Sequence, residues 1–576
     1  MVLYYYHDRF AHAAVNAAGL DYTSAYIPVM LKNLGFSSCR MCPDELGRLS
    51  SGDLLIIGSD TLSDASSSAL KDAIDRGAKV VSFATKGCGF LPETVPGKCS
   101  DDDYEVVGYF KFENSSEPLP VLHKYDVIKD LKSVKCGGFD ISGNIFENLS
   151  ESAAVRPQEG RGGVSYVKKD NLAFFTFDLP ESLWRAADGR PTTVGKNGFN
   201  VGRVPDGQVL EPDYDHDIAY ADSYLRELEN IILAAGFPKM WALPEKDGKP
   251  CDIMLFFSGD DDAGSAENDM CAAEEMYKRG LPYHINLMPC DLEGHFVIDR
   301  EQFLQLHKMG VETDIHYNFL MFPYSDEGFG IQSDMYFKAF GEHSKSPVNH
   351  CLVQHGTAAD RFRIQMKFGA ISDNNRMQNK LDPNDVNAFN LTGFNFGSAF
   401  PRFVVSDAAH GNTPLDFCEV YNSYYEPRIF DCLPEEYKQV EDYLDDGVRY
   451  GRPLQLFTHP HYISGKMGYP KEPALRALDH MKEYVASKGW NVIYTAPTAV
   501  GQWWHDRAAC SISSVTLRSF TVNNPNDRSV CVVLPKGVTK ASVNGSPASV
   551  TTKTVAGKMT SIICVSPGES KVEYLL

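Results

Sequence analysis

No stretch of this chain reaches the roughly 18 consecutive apolar residues that a membrane-spanning helix needs, so a helical membrane anchor is not expected. Positive charge is also scarce: 55 Lys and Arg stand against 76 Asp and Glu, a net charge of -21. That balance repels polyphosphate backbones and argues against a nucleic-acid partner. The 14 cysteines show no repeated short spacing, which speaks against both a disulfide framework and a structural zinc ribbon. Low-complexity tracts and internal repeats are missing too. Met1–His7 carries neither the basic nor the apolar region of a secretory signal, so a cytoplasmic protein is expected. What remains, 43% apolar and 23% charged residues, is the composition of a folded globular protein. At 576 residues the chain is too long for one core, and about 150 residues per domain implies three or four units.

The first third alternates strand and helix signals, with strands at 2–6, 53–58 and 79–84 and helices at 24–34 and 69–76. Such alternation implies a parallel sheet covered on both faces. A hairpin follows at 163–179, then a helix at about 219–235, and the charged, turn-rich Pro244–Pro250 marks a boundary. Beyond it strands and helices alternate again. From Cys510 the pattern changes to short alternating strands divided by Asn-Pro-Asn-Asp and Asn-Gly-Ser-Pro turns, as in a small β-sandwich. The expected organisation is therefore α/β for 1–243 and 250–506, and all-β for 510–576.

The most informative stretch is Ile253–Asp262, an apolar run that stops at Gly259 and releases three carboxylates, Asp260, Asp261 and Asp262. It reads as a strand buried on both faces that delivers acid to its carboxyl end, where α/β sheets and barrels place their chemistry. A solvated acidic turn is the bland alternative. Later apolar runs deliver further polar groups in the same way: Asp314-Ile315-His316, Val348-Asn349-His350, Ile371-Ser372-Asp373, and Leu456-Phe457-Thr458-His459-Pro460-His461.

Two resemblances attach to these residues. Asp53–Gly58 with Ala69–Val81 resembles the flavodoxin-like domain of the class I glutamine amidotransferase superfamily. In that superfamily the next strand ends in a nucleophilic cysteine, but Ala84 stands at the equivalent place here and Cys88 comes four residues late. A catalytically silent domain is expected. In the central region, about 250–506, Ser258-Gly259-Asp260-Asp261-Asp262, Gly310–His316 and Leu456–His459 resemble three motifs of the polysaccharide deacetylase family, also called NodB-homology or carbohydrate esterase family 4. The resemblance implies a distorted (β/α) barrel holding one divalent ion, zinc by expectation. It also implies Asp260 as general base, Asp261 and His316 as metal ligands, and His459 as the acid for the leaving amine.

The family's second metal histidine lies four residues after the first, and that position is Leu320 here. His350 is the preferred replacement, with His355 and Asn318 behind it. The family's arginine-proline motif is also missing, which leaves the contact that orients the base unassigned. Asp373 either binds substrate or ends its strand in an Asx turn, and His461 either acts in the chemistry or orients the loop after His459. The implied activity is removal of an N-acetyl or related acyl group from a sugar or small glycan. Two other classes stay open: a glycan-binding protein without metal, and a glycoside hydrolase using two of Asp260, Asp261, Asp262 and Asp373.

Overall fold

The computed structural model describes residues 1–87, 171–175, 178–193, 201–207, 219–377, 396–422, 434–465 and 470–575. It also describes strand segments 104–105, 108–112, 119–121, 125–126, 140–147, 164–169, 380–382 and 385–390, and residues 394 and 468. The chain is mixed α/β, and its central region is a parallel half-barrel sheet.

In the first unit five parallel strands run in the order Cys39–Met41, Leu3–Tyr6, Leu54–Ile57, Lys79–Phe83, Leu172–Phe175. Leu54 and Ile56 pack with Leu31 and Leu34 of the helix Tyr26–Leu34, whereas Leu55 and Ile57 pack with Leu70 and Ala73 of the helix Asp64–Asp75. Alternation along one strand thus feeds two cores. The sheet continues antiparallel through Val164–Lys169, Asp140–Glu147, Gly108–Phe112 and Leu119–Val121.

Ala84 follows the strand Lys79–Phe83 in left-handed backbone, at φ 49°. Its methyl group cannot act as a nucleophile. Cys88 lies outside the described residues. At the carboxyl ends of Leu3–Tyr6 and Leu54–Ile57 a polar plug stands in the crevice: Tyr22 Oη donates to Asp60 Oδ1 (2.5 Å) and Ser24 Oγ to Asp60 Oδ2 (2.6 Å). The central region seals it, because Asn412 Oδ1 accepts the Tyr22 N–H at 2.8 Å.

The half-barrel runs Val348–Asn349, Val311–Tyr317, Tyr283–Leu287, Ile253–Asp260, Pro453–Phe457, with Val492–Thr495 pairing the first half of Ile253–Asp260. A separate three-stranded sheet contains Ser372–Met377 parallel to Pro414–Asn422. Side chains bridge the two gaps that a ladder would have closed. Asn375 Oδ1 accepts the Asn349 N–H (2.7 Å) on one side. On the other, Gln455 Nε2 reaches Asn374 Oδ1 and Ser258 Oγ (both 2.7 Å), and Tyr421 Oη donates to Pro453 O (2.6 Å). This explains why the buried strand Ser372–Met377 is so polar: its amides satisfy backbone groups that the missing ladder leaves open.

Two antiparallel sheets form the end of the chain. One contains Val530–Val533, Lys558–Val565 and Thr551–Val555; the other contains Ser511–Ser513, Ser519–Asn524, Gly568–Leu575, Lys540–Val543 and Ser546–Pro547. Lys239–Met240 joins the first of them by pairing with Val532–Val533. The turn-rich Pro244–Pro250 is a tight hairpin, Glu245–Lys246 against Lys249–Pro250. One apolar cluster then runs through Leu54, Trp241, Phe256, Trp504, Val532 and Tyr574. The three regions pack on one another through that shared core.

Candidate metal centre

The strand Ile253–Asp260 is buried at every residue, and Gly259 is required by crowding. A Cβ at Gly259 would lie 2.1 Å from Thr458 O and 2.3 Å from Tyr283 Oη, and Tyr283 Oη itself donates to Thr458 O. Gly259→Ala must therefore push apart the strands that carry Asp260 and His459. We expect a destabilisation of about 3 kcal/mol together with loss of metal binding, read from thermal unfolding and metal content.

Past the strand end the backbone turns through left-handed geometry at Asp262 (φ 48°) and Ala263 (φ 54°). Residues two apart on a strand share a face, and this turn swings the Asp262 carboxylate back to the face that carries Asp260. Asp262 Oδ1 lies 3.3 Å from His316 Nε2 and 3.8 Å from His350 Nε2, and its Oδ2 lies 3.2 Å from His459 Nε2. Asp262, His316 and His350 can each offer a ligand atom to one ion, and Asp260, Asp262 and His459 form an overlapping group.

Asp261, the expected carboxylate ligand, belongs to neither group. Its Oδ1 accepts the backbone N–H groups of Met288 (3.0 Å) and Ala263 (3.3 Å), and its buried Oδ2 has no hydrogen-bond partner. Burial and the nearby Asp269 hold the Asp261 carboxyl well above the usual carboxylate range.

Asp260 faces the cluster, with Oδ2 3.5 Å from His316 Nε2. Its Oδ1 accepts a hydrogen bond from Asn286 Nδ2 at 2.8 Å, and His284 Nε2 lies 3.0 Å from Asn286 Oδ1. Asn286 is the direct cross-strand neighbour of Asp260. That bond holds the Asp260 carboxylate in place, and the position of Asn286 two residues after His284 on a strand puts both on one face.

His316 stands at the end of Val311–Tyr317, and its Nδ1 lies 3.2 Å from Val348 O. A proton on Nδ1 donates there and leaves the Nε2 lone pair facing the site. Burial opposes the charged form of His316, yet Asp260 and Asp262 raise its pKa above the ordinary value. Burial likewise opposes ionisation of Asp262, but His316 and His459 hold it far below the carboxylate range. Burial and then His316 push His350 down to about 4. The buried His316 Nε2 has no hydrogen-bond partner, although two carboxylates face it. One carboxylate, two imidazoles and an orphaned ring nitrogen fit a divalent ion such as zinc.

The ring of His461 stacks on that of His459, centroids 5.1 Å apart, so it braces the neighbouring imidazole. Leu320 is 54% exposed. His355 packs against Tyr324, and Asn318 Nδ2 donates to Pro289 O (3.4 Å). Of these candidates, His350 is the one that lies in the cluster. It sits just before two left-handed residues, Cys351 (φ 54°) and Leu352 (φ 55°). Asp373 is not brought there. It is fully buried in an ion network, accepting from Arg361 Nε (2.8 Å) and Asn375 Nδ2 (2.9 Å). Asp373, expected to touch substrate, is thus enclosed by its ion partners and lies apart from the cluster.

No protein-family model matches the chain, and neither does any curated protein. Among solved structures it is similar to a protein of Mycobacterium smegmatis classed as a polysaccharide deacetylase, with TM-score 0.31, 12% identity, and coverage of 46% of this chain and 94% of that one. The carbohydrate esterase family 4 domain of a multidomain xylanase from the hindgut metagenome of Trinervitermes trinervoides gives 0.23 and 11%, covering 43% and 90%. A family 4 carbohydrate esterase of Bacillus subtilis gives 0.22 and 9%, covering 45% and 94%.

Proposed function

We propose that this chain is a metal-dependent hydrolase that removes an acyl group, acetyl foremost, from the nitrogen of a sugar or small glycan. The observation that carries the reading is the convergence of Asp262, His316 and His350, with Asp260 and His459 beside them. Asp262, His316 and His350 would hold the ion, zinc foremost. When bound, it would lower the pKa of a water molecule and polarise the substrate carbonyl.

The protein's own groups do the rest. Asp260, fixed by Asn286, takes a proton from the attacking water; burial raises its pKa and makes it a stronger base than a solvated aspartate. His459, braced by His461, gives a proton to the departing amine. The sugar itself rests on the motif resemblance. Asp260 and Asp262 both face His316 Nε2, at 3.5 and 3.3 Å, an arrangement that suits a shared cation better than an acid and a base flanking a glycosidic bond.

Elemental analysis followed by acetate release from N-acetylglucosamine oligomers tests this. The expected result is one stoichiometric divalent ion and acetate release that a chelator abolishes. Sugar binding with no ion and no release would instead identify a silent glycan-binding protein, and chelator-insensitive cleavage between sugars would identify a glycosidase.

A further inference from the structure

We infer that the junction between the first and central units holds a binding site for a small oxyanion, walled by Arg507, Arg402, Arg226 and Lys239. A cavity of about 50 Å³ lies there, between the helices Tyr26–Leu34, Leu179–Asp188 and Tyr220–Ala234 on one side and Ser398–Arg402 with Arg507 on the other. One ordered water needs about 10–15 Å³ on such a measure, so the space suits a group of a few heavy atoms, such as acetate or phosphate.

In its wall these four cations stand beside two carboxylates, Asp222 and Glu229. Glu229 is shared between Lys239 (2.7 Å) and Arg226 (2.8 Å). Glu419 is shared among Arg361 (2.6 Å), Arg402 (2.8 Å) and Arg376 (3.6 Å). Asp188 also pairs with Arg402, and Asp222 lies 3.7 Å from Arg452. No carboxylate among the described residues is left for Arg507. Its Nη2 donates to Asn33 O (2.7 Å), its guanidinium lies 3.9 Å from the Trp504 ring centre, and its Nε has no partner. Arg402 Nη1 is unpartnered as well.

A buried guanidinium without a counter-charge is costly, and a planar fork of donors on a small cavity matches a carboxylate or phosphate. Burial depresses Arg507 to about 10, the direction expected of a guanidinium with no carboxylate beside it. Helices of the first unit, Ser398–Arg402 of the central unit and Arg507 on the helix Pro497–Ala509 all line the space, so a bound oxyanion would tie the units together. The site shares no residue with the metal centre and stands or falls independently of it.

Thermal unfolding of the full chain in inorganic phosphate, in acetate, and in chloride at matched ionic strength tests the inference. The expected result is a saturable rise in Tm of about 2–4 °C over chloride with phosphate, acetate or both. The more effective probe then identifies the oxyanion class. Arg507→Gln should abolish the rise. So should Ala187→Leu, which fills the cavity and leaves the charges in place, and it decides the matter if Arg507→Gln fails to fold. No difference from chloride in the unmodified protein, or a rise that persists in either folded variant, would overturn the site.

Discussion

Asp262→Ala should empty the metal centre, while Asp261→Asn should leave it filled. Asp262 faces His316, His350 and His459 at 3.2–3.8 Å, and its removal deletes the one carboxylate shared by both candidate ligand groups. Outer contacts to a metal site commonly contribute 10–100-fold in affinity, so loss of an anionic ligand should cost at least about 100-fold. Asp261 instead caps the N–H groups of Met288 and Ala263, and an amide oxygen can accept both. Asp261→Asn should stay within about tenfold of the unmodified affinity, since Asp261 belongs to neither ligand group. Equilibrium dialysis with elemental analysis of both variants reads the difference.

Asp260→Asn should retain the metal and lose turnover by roughly 10² to 10⁴-fold, the range for a general base. The replacement is isosteric, and its amide oxygen can still accept from Asn286 Nδ2, so the side chain should hold its place. What disappears is the ability to take a proton. Metal content and acetate release measured on the same preparation separate this outcome from simple misfolding, which would lower both.

The alternation of buried strands with helices and the ends of the strands at Asp260, His316 and His459 were legible because burial on both faces leaves unbroken apolar runs. His350 could be reached in the same way, as the next strand end. Which carboxylate faces the histidines could not be taken from motif order, because it depends on two left-handed residues, Asp262 and Ala263, that carry no glycine signal. Asn286 was hidden for another reason: it matters through its register opposite Asp260, and register between distant strands is not written in local spacing. Asp373 looked like other strand ends but sits beside the buried Arg361. The polar strand that contains it bridges the gaps of an incomplete barrel.

The most direct measurement is anomalous scattering at the zinc edge from crystals of the full chain grown with zinc. One peak is predicted, about 2.0–2.2 Å from a carboxylate oxygen of Asp262 and from ring nitrogens of His316 and His350. Asp260 and His459 should stand beside it without ligating. A peak beside Asp261 and Asp269, or none at saturating zinc, would contradict the account.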